Sequence, residues 1–140
     1  MNLSWPPLNL WAVLVAGIAT FLLGGVWYQA LFGKVWVRLY GYTPEQVQAM
    51  QKSRPPAVFF GMMILAYLLM ATVMGVLIHW CNAKTAVDGA VVGLAVWGVA
   101  LALALTDYIS STKKPGIYCI DCSYQLIFLV MTGMILAVWR

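Results

Sequence analysis

The chain has 140 residues, of which 64% are hydrophobic and only 9% charged, and its mean hydropathy is +0.89. A soluble domain carries about 25% charged residues, so a water-facing coat is excluded and lipid is the solvent that fits. The net charge of +4 comes without a dense basic patch, which excludes a nucleic-acid surface.

Charge-free runs cover residues 1–33, 55–83, 89–106 and 122–139. About 20 helical residues, at ~1.5 Å each, cross a ~30 Å hydrocarbon layer. Each run therefore supplies one span, the last two borrowing flanking residues, and none is long enough for two. The spacing predicts an all-α bundle of four transmembrane helices over residues 8–32, 57–80, 86–110 and 117–139, in a single transmembrane domain of residues 1–140.

The first span has no Lys or Arg before its apolar stretch, unlike a cleaved signal peptide. Trp5 and Trp11 at its start, and Trp27, Tyr28 and Trp36 near its end, suit the two headgroup zones. Ala16, Thr20 and Gly24 form a line of small residues that lets another helix approach. Gly24-Gly25 before Trp27 and Tyr28 predicts a close crossing or a ligand-contacting bend.

Residues 33–56 are the only sizeable extramembrane piece. Thr43-Pro44-Glu45-Gln46 is a helix start, with Thr43 as cap, Pro44 in the first turn and Gln46 reaching back. Val47 and Met50 share one face opposite Gln48, Gln51 and Lys52, which predicts a short amphipathic helix on the membrane surface. Arg54-Pro55-Pro56 ends it and opens the second span, which finishes near His79, a lone interfacial histidine.

A tight connection through Asn82, Ala83 and Lys84 leads to Thr85 and Asp88, a cap and a dipole-favoured acid for the third span. Gly89 and Gly93 form a GxxxG there, and Gly133 with Ala137 a matching pair on the fourth. Such pairs serve packing within one subunit or contact between subunits.

Six basic residues (Lys34, Arg38, Lys52, Arg54, Lys113 and Lys114) fall beside the first and third connections, against Lys84 and Arg140 on the other side. The positive-inside rule places the six in the cytoplasm and both termini outside, for a multi-pass protein of the inner (plasma) membrane.

Residues 9–16 (Asn-Leu-Trp-Ala-Val-Leu-Val-Ala), Gly24-Gly25-Val26-Trp27-Tyr28, Leu31-Phe32-Gly33-Lys34-x-Trp36 and Ile120-Asp121-x-x-Tyr124-Gln125 together carry a resemblance. Over nearly its whole length the chain resembles the bacterial membrane family catalogued as domain of unknown function 1761. The resemblance implies four spans and supplies no activity. Cys119 and Cys122, flanking Asp121, depart from the apolar or small residues usual in that family.

Asp107 and Asp121 each lie roughly 7–10 Å of helix from the turn at residues 113–116. Acids at that depth are paired or face a bundle interior, and they often mark ion pathways. Tyr124 and Gln125 follow Asp121 at i+3 and i+4, while Lys34 and Arg38 fall on the same side. The six form a candidate polar cluster, either an interfacial ion-pair set with Lys34 or Arg38 neutralising one acid, or the lining of a cation or proton cavity.

Cys119 and Cys122 make a C-x-x-C at a helix start, a weak redox or metal candidate, since no second pair or His cluster accompanies it. No triad, phosphate loop, dinucleotide fingerprint or haem ligand set occurs, so no cofactor, metal or catalytic residue is predicted and the chain reads as no enzyme. The expected partners are the lipid bilayer and further membrane chains, in a homo-oligomer (a homodimer first) or a larger complex. The function expected is that of a non-catalytic self-associating module or accessory subunit. A small oligomeric transporter or channel using Asp107 and Asp121 is the alternative.

Overall fold

A computed structural model describes residues 4–53 and 55–139. Arg54 and Arg140, counted in the charge asymmetry, lie outside the described residues. The elements are α1 (Leu10–Gly25), continued without a break by a π-helical turn (Val26–Leu31), then α2 (Gly33–Tyr40), α3 (Pro44–Ser53), α4 (Pro56–Trp80), α5 (Ala86–Ser110) and α6 (Pro115–Val138). Four stretches of 22 to 25 residues (α1 with its π-turn, α4, α5 and α6) are long and apolar enough to cross a membrane. The fold is an all-α membrane bundle, as composition and the charge-free runs require.

The helix starts follow from local chemistry. Asn9 caps α1 by accepting from the Trp11 and Ala12 amides. Thr43 and Gln46 form a reciprocal pair, with the Thr43 amide donating to Gln46 Oε1 at 2.9 Å and the Gln46 amide to Thr43 Oγ1 at 3.3 Å. Thr85 and Asp88 form a capping box at the head of α5. Pro56 and Pro115 open α4 and α6, where a missing N–H costs nothing.

Helix α2 lies in the piece expected to hold only the helix after Thr43. Its eight residues turn Lys34, Val35 and Arg38 outward and half-bury Trp36, Leu39 and Tyr40. Gly41 closes it in the left-handed region, at φ 74°, where an L side chain is strained. Two turns are too few for a helical period to stand out in the sequence.

Helix α6 is the hub. It packs against α5 along most of its length and against α1, α4 and α2 on its other faces, while α1 also packs on α4. The α5–α6 crossing is backbone on backbone. A Cβ added at Gly89 would strike the Gly133 carbonyl, and one at Gly93 would strike the Leu129 carbonyl and come within 2.9 Å of the Val130 Cα. Both small-residue pairs are thus used inside one subunit. Ala16, Thr20 and Gly24 are likewise buried, so the line on α1 is also internal.

Helix α5 meets little besides α6. Val91, Leu94, Val99, Leu103 and Ile109 face outward, from 49% to 73% exposed, a surface that water would penalise and hydrocarbon accepts. At one end of the bundle the Trp80 indole donates to the Ser4 carbonyl at 3.2 Å. Leu8, Asn9, His79 and Trp139 line a recess of about 40 Å³ there. Residues near both termini therefore share an end, as an even number of crossings demands. The opposite end holds α2 and the turn at residues 111–114, and is called the basic end below.

Candidate functional site

Toward the basic end, aromatic and hydroxyl groups from α1, α4, α5 and α6 meet. The π-turn inserts one extra residue into the helical ladder, closed where the Phe32 amide donates to the Trp27 carbonyl at 2.8 Å. Such turns are frequent at functional positions. Through it, two adjacent side chains both reach α6. The Trp27 indole donates to the Ile120 carbonyl at 3.2 Å, and the Tyr28 hydroxyl donates to Asp121 Oδ1 at 2.7 Å.

One turn deeper, Tyr124 on α6 is 4% exposed. Its hydroxyl lies 3.0 Å from the Thr20 carbonyl and 3.1 Å from the Tyr67 hydroxyl. The Tyr124 hydroxyl has a single proton, which it shares between two acceptors, the Thr20 carbonyl and the Tyr67 oxygen. A Cβ at Gly24 would come within 2.8 Å of the Tyr124 oxygen, so this glycine makes the space in which the tyrosine tips meet. The Tyr124 ring packs 5.3 Å from Tyr28 and 4.9 Å from Phe128. Deeper still, the Thr20 and Thr132 hydroxyls lie 3.3 Å apart with both residues fully buried. Helix α5 joins through Trp97, whose indole donates to the Cys122 carbonyl at 2.9 Å.

The six residues of the expected cluster separate. Asp121, Tyr124 and Gln125 belong to this network or its edge. Gln125 Oε1 is buried and has no hydrogen-bond partner among the described residues. Asp107 is on the surface instead, 62% exposed, and pairs at 2.6 Å with Lys113. Its carboxylate holds the Lys113 ammonium above the ordinary lysine range. Lys34 and Arg38 neutralise neither acid. They are exposed, because α2 docks through Leu39 onto Gly116 and turns its cationic face away. Arg38 and Lys34 make no ion pair among the described residues, where the one pair is Lys113 with Asp107.

Helix α2 instead contributes rings. Trp36 stands edge-on to Tyr28 at 6.2 Å and packs 4.3 Å from Tyr40, which stacks on Tyr42 at 5.2 Å. Partial burial raises the Tyr40 phenol above its usual value. The Trp36 indole nitrogen is buried without an acceptor among the described residues.

Cys119 is exposed and Cys122 buried, and both are free thiols. No group of three or more His, Cys, Asp or Glu suited to a metal occurs among the described residues. Cys81 and His79 are exposed at the far end of the bundle.

Sequence reasoning missed Tyr28, Tyr67, Thr20, Thr132 and Trp97 as members of one network. Gly24-Gly25 beside Trp27 and Tyr28 was the available signal for the first. Tyr67 and Trp97 are single polar-tipped rings inside apolar spans, with nothing local to say what they face.

A family model described as "Protein of unknown function (DUF1761)" matches residues 11–137. No curated protein and no solved structure matches the chain.

Proposed function

We propose that this chain, which belongs to the DUF1761 family, is a non-catalytic membrane module that self-associates or serves as an accessory subunit, and that its docking surface is the outward face of α5. The observation that carries this reading is the one-sided attachment of α5. Its Gly89/Gly93 face is spent on α6, while Ala95, Gly98 and Ala102 lie exposed together on another face. A Cβ added at Gly98 would meet nothing within 4 Å. Small residues at such spacing let helices of separate chains approach in lipid, where van der Waals packing drives association. Beside this face, Leu77, Val92, Val96 and Val99 help line an open groove of about 660 Å³ between α4 and α5. The polar groups of the bundle are mostly satisfied by one another, which fits a scaffold better than a reaction centre. The membrane is the plasma membrane and the basic end faces the cytoplasm. Lys34, Arg38, Lys52, Lys113 and Lys114 lie toward that end, against Lys84 at the other.

Energy transfer between singly labelled copies in lipid vesicles tests the association. Gly98→Leu is expected to reduce the transfer to the level of random dilution while leaving the monomer folded. Equal transfer in wild type and variant removes the α5 face from the reading.

A second reading, a small ion-conducting assembly, is favoured by one observation: Asp121 carries a carboxylate inside a span with a hydroxyl and, among the described residues, no cation against it. It predicts ion flux in reconstituted vesicles that is lost in Asp121→Asn. A wild-type protein that passes no ions discards it.

A further inference from the structure

Asp121 lies six residues into α6 from Pro115, about 9 Å along the helix axis. Its Oδ1 accepts from Tyr28. Lys113, the cation paired among the described residues, is taken by Asp107. One turn deeper, at i+4 on the same face of α6 and about 5–6 Å away at Cβ, Gln125 presents a buried amide oxygen with no donor. Three donors around them are already committed, Trp27 to the Ile120 carbonyl, Trp97 to the Cys122 carbonyl and Tyr124 to the Thr20 carbonyl, while the Trp36 indole, edge-on to Tyr28, has no acceptor among the described residues. Among the described residues the half-buried Asp121 carboxylate has no cation within ion-pair distance and the Gln125 oxygen has no donor, and one positively charged group answers both.

We propose that Asp121 and Gln125 bind a single monovalent alkali cation, with the Tyr28 oxygen holding the carboxylate in place and offering a third ligand. Carboxylate, amide and phenol oxygens are hard donors of the kind that suit such ions rather than thiophilic metals. One carboxylate balances one positive charge. A divalent ion would leave uncompensated charge inside the span, since Asp107 is on the surface and paired with Lys113. The titratable groups around the site are Tyr28 from the π-turn, Tyr67 from α4, Tyr40 from α2, and Cys119, Cys122 and Tyr124 from α6. Beyond Tyr40 lie Asp107 and Lys113, and Lys113 feels the Asp121 charge but makes its ion pair with Asp107. The site is a binding site whether or not the chain moves ions, and it does not depend on self-association.

Thermal unfolding of the intact protein in lipid nanodiscs, in sodium or potassium chloride against choline chloride at equal ionic strength and pH 7.5, tests it. Wild type is expected to melt at least about 3 °C higher in one of the alkali salts, saturably with concentration. Gln125→Leu removes the orphan oxygen, so it is expected to melt above wild type in choline and to gain nothing from the alkali ion. Asp121→Asn is expected to lose the gain, and Asp107→Asn, outside the site, to keep it. Identical melting of wild type in all three salts overturns the site, and so does an alkali gain that survives in Gln125→Leu.

Discussion

Replacing Gly93 with leucine is expected to unfasten α5 from α6 and cost more than about 3 kcal/mol. Overpacking a well-filled core costs about 1–3 kcal/mol when neighbouring side chains yield. Here the first atoms met are the Leu129 carbonyl and the Val130 Cα, and main chain inside a helix cannot step aside. The two helices must separate, which also draws Trp97 away from the Cys122 carbonyl. Reversible unfolding in micelles or bicelles reads the loss. Gly98→Leu, on the same helix with open space above it, is the internal control and is expected to stay within about 0.5 kcal/mol of wild type. Comparable losses at both positions would show that α5 is sensitive to bulk anywhere and that the crossing is not what Gly93 protects.

Tyr124→Ala is expected to cost about 3–5 kcal/mol, the range for truncating a large buried ring. The ring fills the space between Tyr28, Trp27 and Phe128, and its hydroxyl ties α6 to Thr20 on α1 and Tyr67 on α4. Tyr124→Phe separates the two contributions. Hydrogen bonds between membrane helices average about 0.6 kcal/mol, so the phenylalanine variant is expected to lose a small fraction of what alanine loses. If phenylalanine proves as damaging as alanine, the hydroxyl network rather than ring packing holds α1, α4 and α6 together. The same unfolding assay decides it.

Both effects concern residues whose importance is uneven in the sequence. Gly89-xxx-Gly93 and Gly133-xxx-Ala137 announce a close helix approach, because only small residues permit one, but the spacing is equally suited to a neighbour in the same chain or another. Tyr124 was legible as part of a polar face with Asp121 and Gln125 at helical spacing. Its partners Thr20 and Tyr67 were not, for they lie 104 and 57 residues away in sequence, and no local rule links groups so far apart. Asp107 and Asp121 illustrate the opposite hazard. Equal distance from one turn suggested a shared site, yet Asp107 faces solvent with Lys113 and Asp121 meets Tyr28. Depth along a helix is read from residue count, whereas direction around it depends on what packs there.

What the sequence determined by itself is the solvent and the elements. Too few charges, grouped between apolar runs of membrane-crossing length, leave four apolar helices as the solution, and Asn9, Thr43, Thr85, Pro56 and Pro115 mark where helices begin. These are local matters, set by hydropathy and by the first hydrogen bonds of each helix. The tertiary structure alone decided that α6 is the hub, that α5 hangs from it by glycine contacts, and that a π-turn aims Trp27 and Tyr28 at residues 120 and 121. Apolar helices in lipid have no hydrophobic force to choose among neighbours, so the choice falls to close packing and a few buried polar contacts, and these exist only once the helices are side by side.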